Sequence, residues 1–352
     1  MSNALFGTAL AAFPIGALLA GLLAGTAIRW LGSAKVASFG IVLMTAATLA
    51  IPFTPHWLAF AGVLFLVGAL DSIVDVAQNA HGLRVQRLYG RSILNSLHGV
   101  WSIGAVLGGL MGAAAAGLSL PLAAHLTISA VLFSAVALVA FRYLLPGAED
   151  AERDDPPAAT APTRRFTGAA IRMLAALGVL AAAGALVEDA GSSWGALFFT
   201  DELHTGAATA GLAVVALQTA MTIGRLLGDR VVDRFGQRTV VRSGGLLAAV
   251  GMGLALAFPS VPTALGGFAL AGLGVATLVP AAMHTADELP GLSPGTGLTI
   301  VSWLLRGGFL LSPPLVGFVA DLSSLRVGLL TVVVAGVVTF VLGRVLVNRH
   351  TA

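Results

Sequence analysis

Cysteine is absent from this chain. That excludes disulfides, thiolate metal sites and thiol redox chemistry, and it removes the usual clue to redox compartment. Charge is scarce as well: 10% of the 352 residues are Asp, Glu, Lys or Arg, against about 25% in a soluble domain. With 57% of residues hydrophobic and a mean hydropathy of +0.94, no water-soluble core could bury the apolar surface. The first residues, Met1, Ser2 and Asn3, lack a basic segment, so a cleavable signal peptide is not expected. The patterns H-E-x-x-H and G-x-x-x-x-G-K-[ST] are missing too, which leaves a gradient rather than bound ATP as the expected energy source.

What the sequence does contain is apolar runs long enough to cross a bilayer, which takes about 20 residues each. They lie at 4–28, 36–53, 57–80, 93–117 and 122–144, and again at 171–195, 206–228, 240–258, 262–285, 296–320 and 326–347. The reading is an all-α integral membrane protein of about eleven helices, five and then six. Between the two sets, PGAEDAERDDPPAATAPTRR has the composition of a solvated linker. The expected organisation is an N-terminal bundle at 1–145, a linker at 146–168 and a C-terminal bundle at 169–352.

A sequence pI of about 10.1 could suggest nucleic-acid binding, but the basic residues are spread between apolar runs and read as topology. Counted by alternate loops, seventeen of the Lys and Arg residues fall on one side and Arg326 alone on the other, with Arg306 inside a run. The bias predicts a cytoplasmic linker and C-terminus and, with an odd number of spans, an external N-terminus. A lipid environment and no nucleic-acid partner are the corresponding expectations.

The segment GRLLGDRVVDRFGQR at 224–238 joins two runs through a tight turn, in which Gly228 and Gly236 permit close approach and Asp233 can pair with Arg234 or Arg238. A weaker echo, GTAIRWLGSAK, runs over 25–35. This Gly-x-x-x-Asp-Arg-x-Gly-x-Arg loop resembles the signature of the major facilitator superfamily. DVAQNAHGLRVQRLYGRSILNSLHGVWSIGA at 75–105, EDAGSSW at 188–194 and SPPLVGF at 312–318 make the chain similar to that family's fucose-permease-like bacterial branch. The resemblance implies a two-bundle fold and a loop that braces the bundles on the cytoplasmic side, here carried by Gly228, Asp229, Arg230, Asp233, Arg234, Gly236 and Arg238. In this copy Asp229 stands in the family's first glycine slot; in the first copy Arg29 and Trp30 replace the family's Asp and Arg. The motif's position after the second run of one half but the first run of the other predicts that the family's first helix is missing. A start assigned too far downstream and a true eleven-span chain both fit.

Ionisable groups inside a span are costly, of the order of 3 kcal/mol on insertion scales, and so are candidates for function. Asp71, Asp75 and Asn79 recur every four residues on one helix face, and a carboxylate there could carry a coupling proton. His98 and Trp101 share a face in the fourth run, the one a titratable group, the other a stacking surface. Glu188 and Trp194 are expected in the outer third of the sixth run; Asp189 is expected to point elsewhere and reach only the outer surface. Gln218 and Arg306 lie near mid-span. Each also has a structural reading: Asp75 or Arg306 in an ion pair, and His98 satisfied by Asn95 or a carbonyl. Glycines at Gly21 and Gly25, at Gly104, Gly108 and Gly112, and at Gly224 and Gly228 have the spacing of close helix packing. GSSWG at 191–195 matches G-x-S-x-G, but it lies on an apolar helix where no nucleophile elbow can form. No catalytic residue, metal or cofactor is expected. The function expected is secondary transport of a small solute, with protons as coupling ion; a non-transporting membrane sensor and an intramembrane enzyme are the alternatives.

Overall fold

In a computed structural model, which describes residues 9–147, 149, 151 and 167–347, every regular element is helical. The chain runs through α1 (Ala12–Gly21), α2 (Ala24–Leu31), α3 (Ser33–Thr48), α4 (Trp57–Tyr89), α5 (Leu94–Gly117) and α6 (Leu122–Phe141). It continues through α7 (Gly168–Asp201), α8 (Ala207–Phe235), α9 (Gln237–Ala257), α10 (Val261–Val275), α11 (Leu278–Asp287), α12 (Thr296–Leu322), α13 (Leu325–Gly328) and α14 (Leu330–Leu342). Among the described residues nine helices or helix pairs are long and apolar enough to cross a membrane, ten if the bent pair α1 and α2 counts as one span. Helix α5 occupies the run expected at 93–117.

The helix ends follow local chemistry. Thr167 caps α7 by accepting from Ala170 N at 3.2 Å, and Ser260 and Thr263 form a capping box at the start of α10. Gly32 and Gly236, at φ of 85° and 78°, each end one helix and begin the next. Only a residue without Cβ takes up that backbone cheaply.

Two spans are broken for identifiable reasons. Helices α1 and α2 meet at 56°, where the Trp303 indole N–H donates to Leu18 O at 2.7 Å and so occupies a carbonyl that would continue the ladder. Between α10 and α11 the interruption at Ala276 and Thr277 lies four residues before Pro280, whose ring has no N–H and clashes with the carbonyl of Ala276.

The core is built of small residues: Ala24, Ala181, Ala213, Ala248, Ala271 and Ala282 are fully buried. Large side chains such as Val131, Leu107 and Leu254 are more than half exposed, the arrangement expected when lipid rather than water surrounds the helices. A Cβ on Gly244 would come within 2.1 Å of Gly274 O, and one on Gly274 within 2.3 Å of Gly244 O, so α9 and α10 touch backbone to backbone. Gly21, Gly25, Gly224 and Gly228 also meet neighbours, whereas Gly104, Gly108 and Gly112 have nothing within 4 Å. Spacing alone does not bring a second helix opposite a glycine face.

The chain clusters into two units. One comprises Met1–Gly90, Ile103–Arg165 and Pro290–Trp303; the other comprises Arg91–Ser102, Phe166–Leu289 and Leu304–Ala352. In the first unit α4 continues well beyond the apolar run at 57–80. Its Arg84, 1% exposed, donates to Pro146 O at 2.8 Å and pairs with Glu149 at 3.5 Å. Glu149 accepts from Ser33 N at 2.6 Å at the start of α3. His81 Nε2 accepts from Leu145 N at 3.2 Å, which leaves Nδ1 to donate to Ser33 Oγ at 3.0 Å. Pro146 and Glu149, expected within a solvated linker, are thus tied to α3 and α4; most of that linker lies outside the described residues, as do residues 1–8.

Replacing Gly244 by Leu should lower the melting temperature of the detergent-solubilised protein by an amount corresponding to about 1–3 kcal/mol of overpacking. Gly253→Leu on the same helix, where nothing lies within 4 Å, should leave it nearly unchanged.

Candidate functional site

The second unit holds a polar cluster within otherwise apolar helices. Arg225 on α8 is 6% exposed. Its guanidinium pairs with Glu188 Oε2 of α7 at 3.0 Å and donates to Ser102 Oγ of α5 at 2.8 Å. Ser102 in turn donates to His98 O at 3.0 Å, and His98 is near enough to Arg225 for the two to interact electrostatically. Two turns along α8, Gln218 donates to Ser192 Oγ at 3.1 Å, and Ser192 donates to Glu188 O at 2.8 Å. Glu188 and Ser192 are four apart on α7, Gln218 and Arg225 seven apart on α8, so each pair shares a helix face.

Unused hydrogen-bonding capacity remains on α7 and α8. Arg225 Nε, Asp189 Oδ2 and Trp194 Nε1 are buried atoms without a partner. Asp189 Oδ1 accepts from Ser193 Oγ at 3.1 Å. Asp189 is half-buried, and α7 runs on to Asp201, so that Glu188 lies nearer the middle of the helix than its end. The Trp194 ring lies against Gly317, its Cη2 3.2 Å from where a Cβ would stand.

In the sequence Arg225 stands out only as one of the basic residues that set topology. It lies ten residues before the end of α8, about 15 Å along the axis, and the signal was its distance from Gly236. Ser102 and Asn95 are neutral and small, and nothing in the sequence singled Ser102 out.

On α4, Asn79 Nδ2 donates to Asp75 Oδ1 at 3.1 Å and to Asp75 O at 2.9 Å, with Asp71 half-buried one turn away. Trp101 is 63% exposed. Arg306 is half-buried on α12. Among the described residues no three His, Asp or Glu side chains gather as metal ligands would.

The loop motif seats itself on the start of α5. Asp229, 6% exposed, accepts from Asn95 N at 3.1 Å, Asn95 Nδ2 at 2.9 Å and Ser96 N at 2.8 Å. One turn on, Asp233 accepts from Ser92 N at 3.1 Å rather than pairing with Arg234 or Arg238. Asn95 is thereby committed to Asp229 and not to His98. Gly228 allows the approach, since a Cβ there would meet Thr277 at 2.8 Å and Asn95 at 3.1 Å. Arg238 donates to Leu346 O at 2.9 Å, Arg234 lies over the Phe235 ring at 5.5 Å, and Arg230 is exposed. The carboxylate of Asp229 stands where the first turn of α5 presents N–H groups with no acceptor of their own.

Known proteins resemble this chain over most of its length. A model of the Major Facilitator Superfamily matches residues 178–352. An uncharacterized MFS-type transporter of Yersinia pestis is 30% identical over 329 residues, covering 93% of this chain and 83% of its own. Membrane protein MosC of Rhizobium meliloti is 30% identical over 351 residues, covering 99% of this chain and 83% of its own. The crystal structure of FucP in the outward conformation superposes with a TM-score of 0.80 over 98% of this chain and 90% of its own, at 16% identity. FucP is the E. coli fucose:proton symporter.

Asp229→Ala leaves the N–H groups of Asn95 and Ser96 without their acceptor and should cost about 1–3 kcal/mol. Asp233→Ala, which removes one exposed contact, should cost about 0.5–1 kcal/mol. Thermal unfolding of the two variants in one detergent checks the order; equal losses would refute the capping role of Asp229.

Proposed function

Because the chain belongs to the major facilitator superfamily, and is a membrane transporter of that kind, we propose that it moves a small organic solute by alternating access, coupled to protons. The observation that carries this reading is the part-buried Glu188–Arg225 pair with Ser102 beside it. A pair of this kind in an apolar setting is weak evidence for stability, because desolvation offsets most of its attraction. It is better understood as a switch between partners.

The chemistry runs through Arg225. While Glu188 is ionised it satisfies one edge of the guanidinium. A proton arriving at Glu188 removes the negative partner and frees that edge for an anionic or hydroxyl group of the solute. Departure of the proton restores the pair and displaces the solute. Trp194 Nε1 and Asp189 Oδ2, both without partners, offer further contacts, and His98 and Gln218 border the same groups. Asp75 is the second carboxylate suited to a coupling proton. The proton coupling of FucP supports the assignment by analogy of fold.

In this reading residues 1–145 and 169–352 are the two moving bundles of a monomer in a bacterial plasma membrane. The linker and C-terminus are cytoplasmic and the N-terminus external. The distribution of Lys and Arg supports this orientation.

The test uses proteoliposomes containing a trapped pH dye and a panel of hexoses and organic anions. Wild-type protein should acidify or alkalinise the lumen when a transported solute is added, and an imposed pH gradient should drive accumulation. Glu188→Gln should keep exchange of solute but lose accumulation, while Arg225→Leu should lower both by at least about tenfold, since it strands a buried carboxylate. Accumulation by the wild type that ignores the gradient would sink proton coupling.

A further inference from the structure

The two loop copies end in the same backbone feature, the positive-φ glycines Gly32 and Gly236. Set in register on these, Gly25 corresponds to Asp229 and Arg29 to Asp233. Each loop also lies against the start of a long helix, α5 for the second copy and α12 for the first. In the second copy the chain supplies the negative charge that a helix start favours, through Asp229 and Asp233. In the first copy both carboxylates are gone.

At that place the first unit has a cavity of about 140 Å³ whose polar lining is Thr26, Arg29, Thr296 and Thr299. At about 30 Å³ per water it has room for about four to five waters, enough for a tetrahedral oxyanion. No acid lines it. Arg29 donates to Thr26 Oγ1 at 2.8 Å and to Thr296 Oγ1 at 3.4 Å, and among the described residues its guanidinium has no carboxylate partner. Thr299 also lines the cavity; it is only 5% exposed, and its hydroxyl, packed beside Gly25, has no hydrogen-bond partner. Thr299 N is bonded back to Gly295 O at 2.9 Å, but the first turn of a 27-residue helix still presents N–H groups toward its end. Gly25 leaves the space open: a Cβ there would stand 2.9 Å from Thr299 Oγ1.

Electrostatically this arrangement is incomplete. A guanidinium at a helix N-terminus is repelled by the helix dipole, and an anion between them satisfies both. We infer that the cavity at the start of α12 binds an oxyanion of the phosphate class, free or carried by a lipid headgroup, in the role that Asp229 fills at the start of α5. Arg29 is exposed, so the anion can enter from solvent or from the headgroup layer. The inference concerns a brace between helices and does not depend on the identity of the solute or the coupling ion.

The full chain, purified and delipidated in detergent, is melted in sodium phosphate and in sodium chloride at equal ionic strength. In parallel, native mass spectrometry follows retention of phosphatidylglycerol against a glucosyl diacylglycerol lacking phosphate. A saturable rise in melting temperature with phosphate identifies free oxyanion as a ligand; retention of phosphatidylglycerol over the glucolipid without a phosphate response identifies the headgroup. In either case Arg29→Gln and Thr299→Val should weaken the response about tenfold or more, as loss of a charge-assisted or buried contact does. Arg29→Asp places a carboxylate where Asp233 stands in the other copy; it should abolish the response while melting no lower than wild type without phosphate. No saturable response to either probe, or responses in Arg29→Gln equal to wild type, overturns the inference.

Discussion

Helices α5 and α8 are held in register by one carboxylate. Asp229 takes the first N–H groups of α5, and one turn up α8 Arg225 is thereby placed opposite Ser102. Between the two, Gly99 lies so close to α8 that a Cβ would come within 2.6 Å of the Leu226 side chain. A slip by one residue would collide there and would carry Arg225 away from both of its partners. The polar cluster is therefore not independent of the loop motif. The same seam that satisfies a helix end positions the charge inside the membrane.

The constraint behind this is general to a chain surrounded by hydrocarbon: every backbone group needs a partner from the protein itself. Among the described residues three side-chain carboxylates meet it, Asp229 and Asp233 at the start of α5 and Glu149 at α3. In each case the acid comes from a remote part of the chain rather than from the capping residue. An acid so used ties tertiary structure to helix initiation, and its loss is felt in both.

Apolarity located the long helices among the described residues, because runs of about 20 such residues have few other uses. It did not locate their ends. Helices α4, α7 and α8 run past their apolar stretches to Tyr89, Asp201 and Phe235, since a helix continues wherever its backbone bonds and caps allow, in lipid or out. Arg225 lies inside the run at 206–228, and what masks it in the sequence is its place among the many basic residues that set topology. The break at Ala276 was legible from Pro280, while the bend at Leu22 was not, because its cause is a tryptophan about 280 residues away in sequence. Glu188 and Gln218 were legible as polar groups in apolar surroundings. Their partners Ser102 and Ser192 were not, because a serine in a helix draws no notice until its neighbour across the gap is known.

Gly32 and Gly236 each join two long helices through a single residue. A joint of one residue has two rotatable angles and no slack, so α8 cannot translate along its axis without taking the start of α9 with it, and α2 is bound to α3 in the same way. Displacement of one member is converted into rotation about the glycine. The helix pairs thus behave as levers of fixed arm, and a small change in the seating of a loop at a helix start is delivered undiminished to the far end of the next helix.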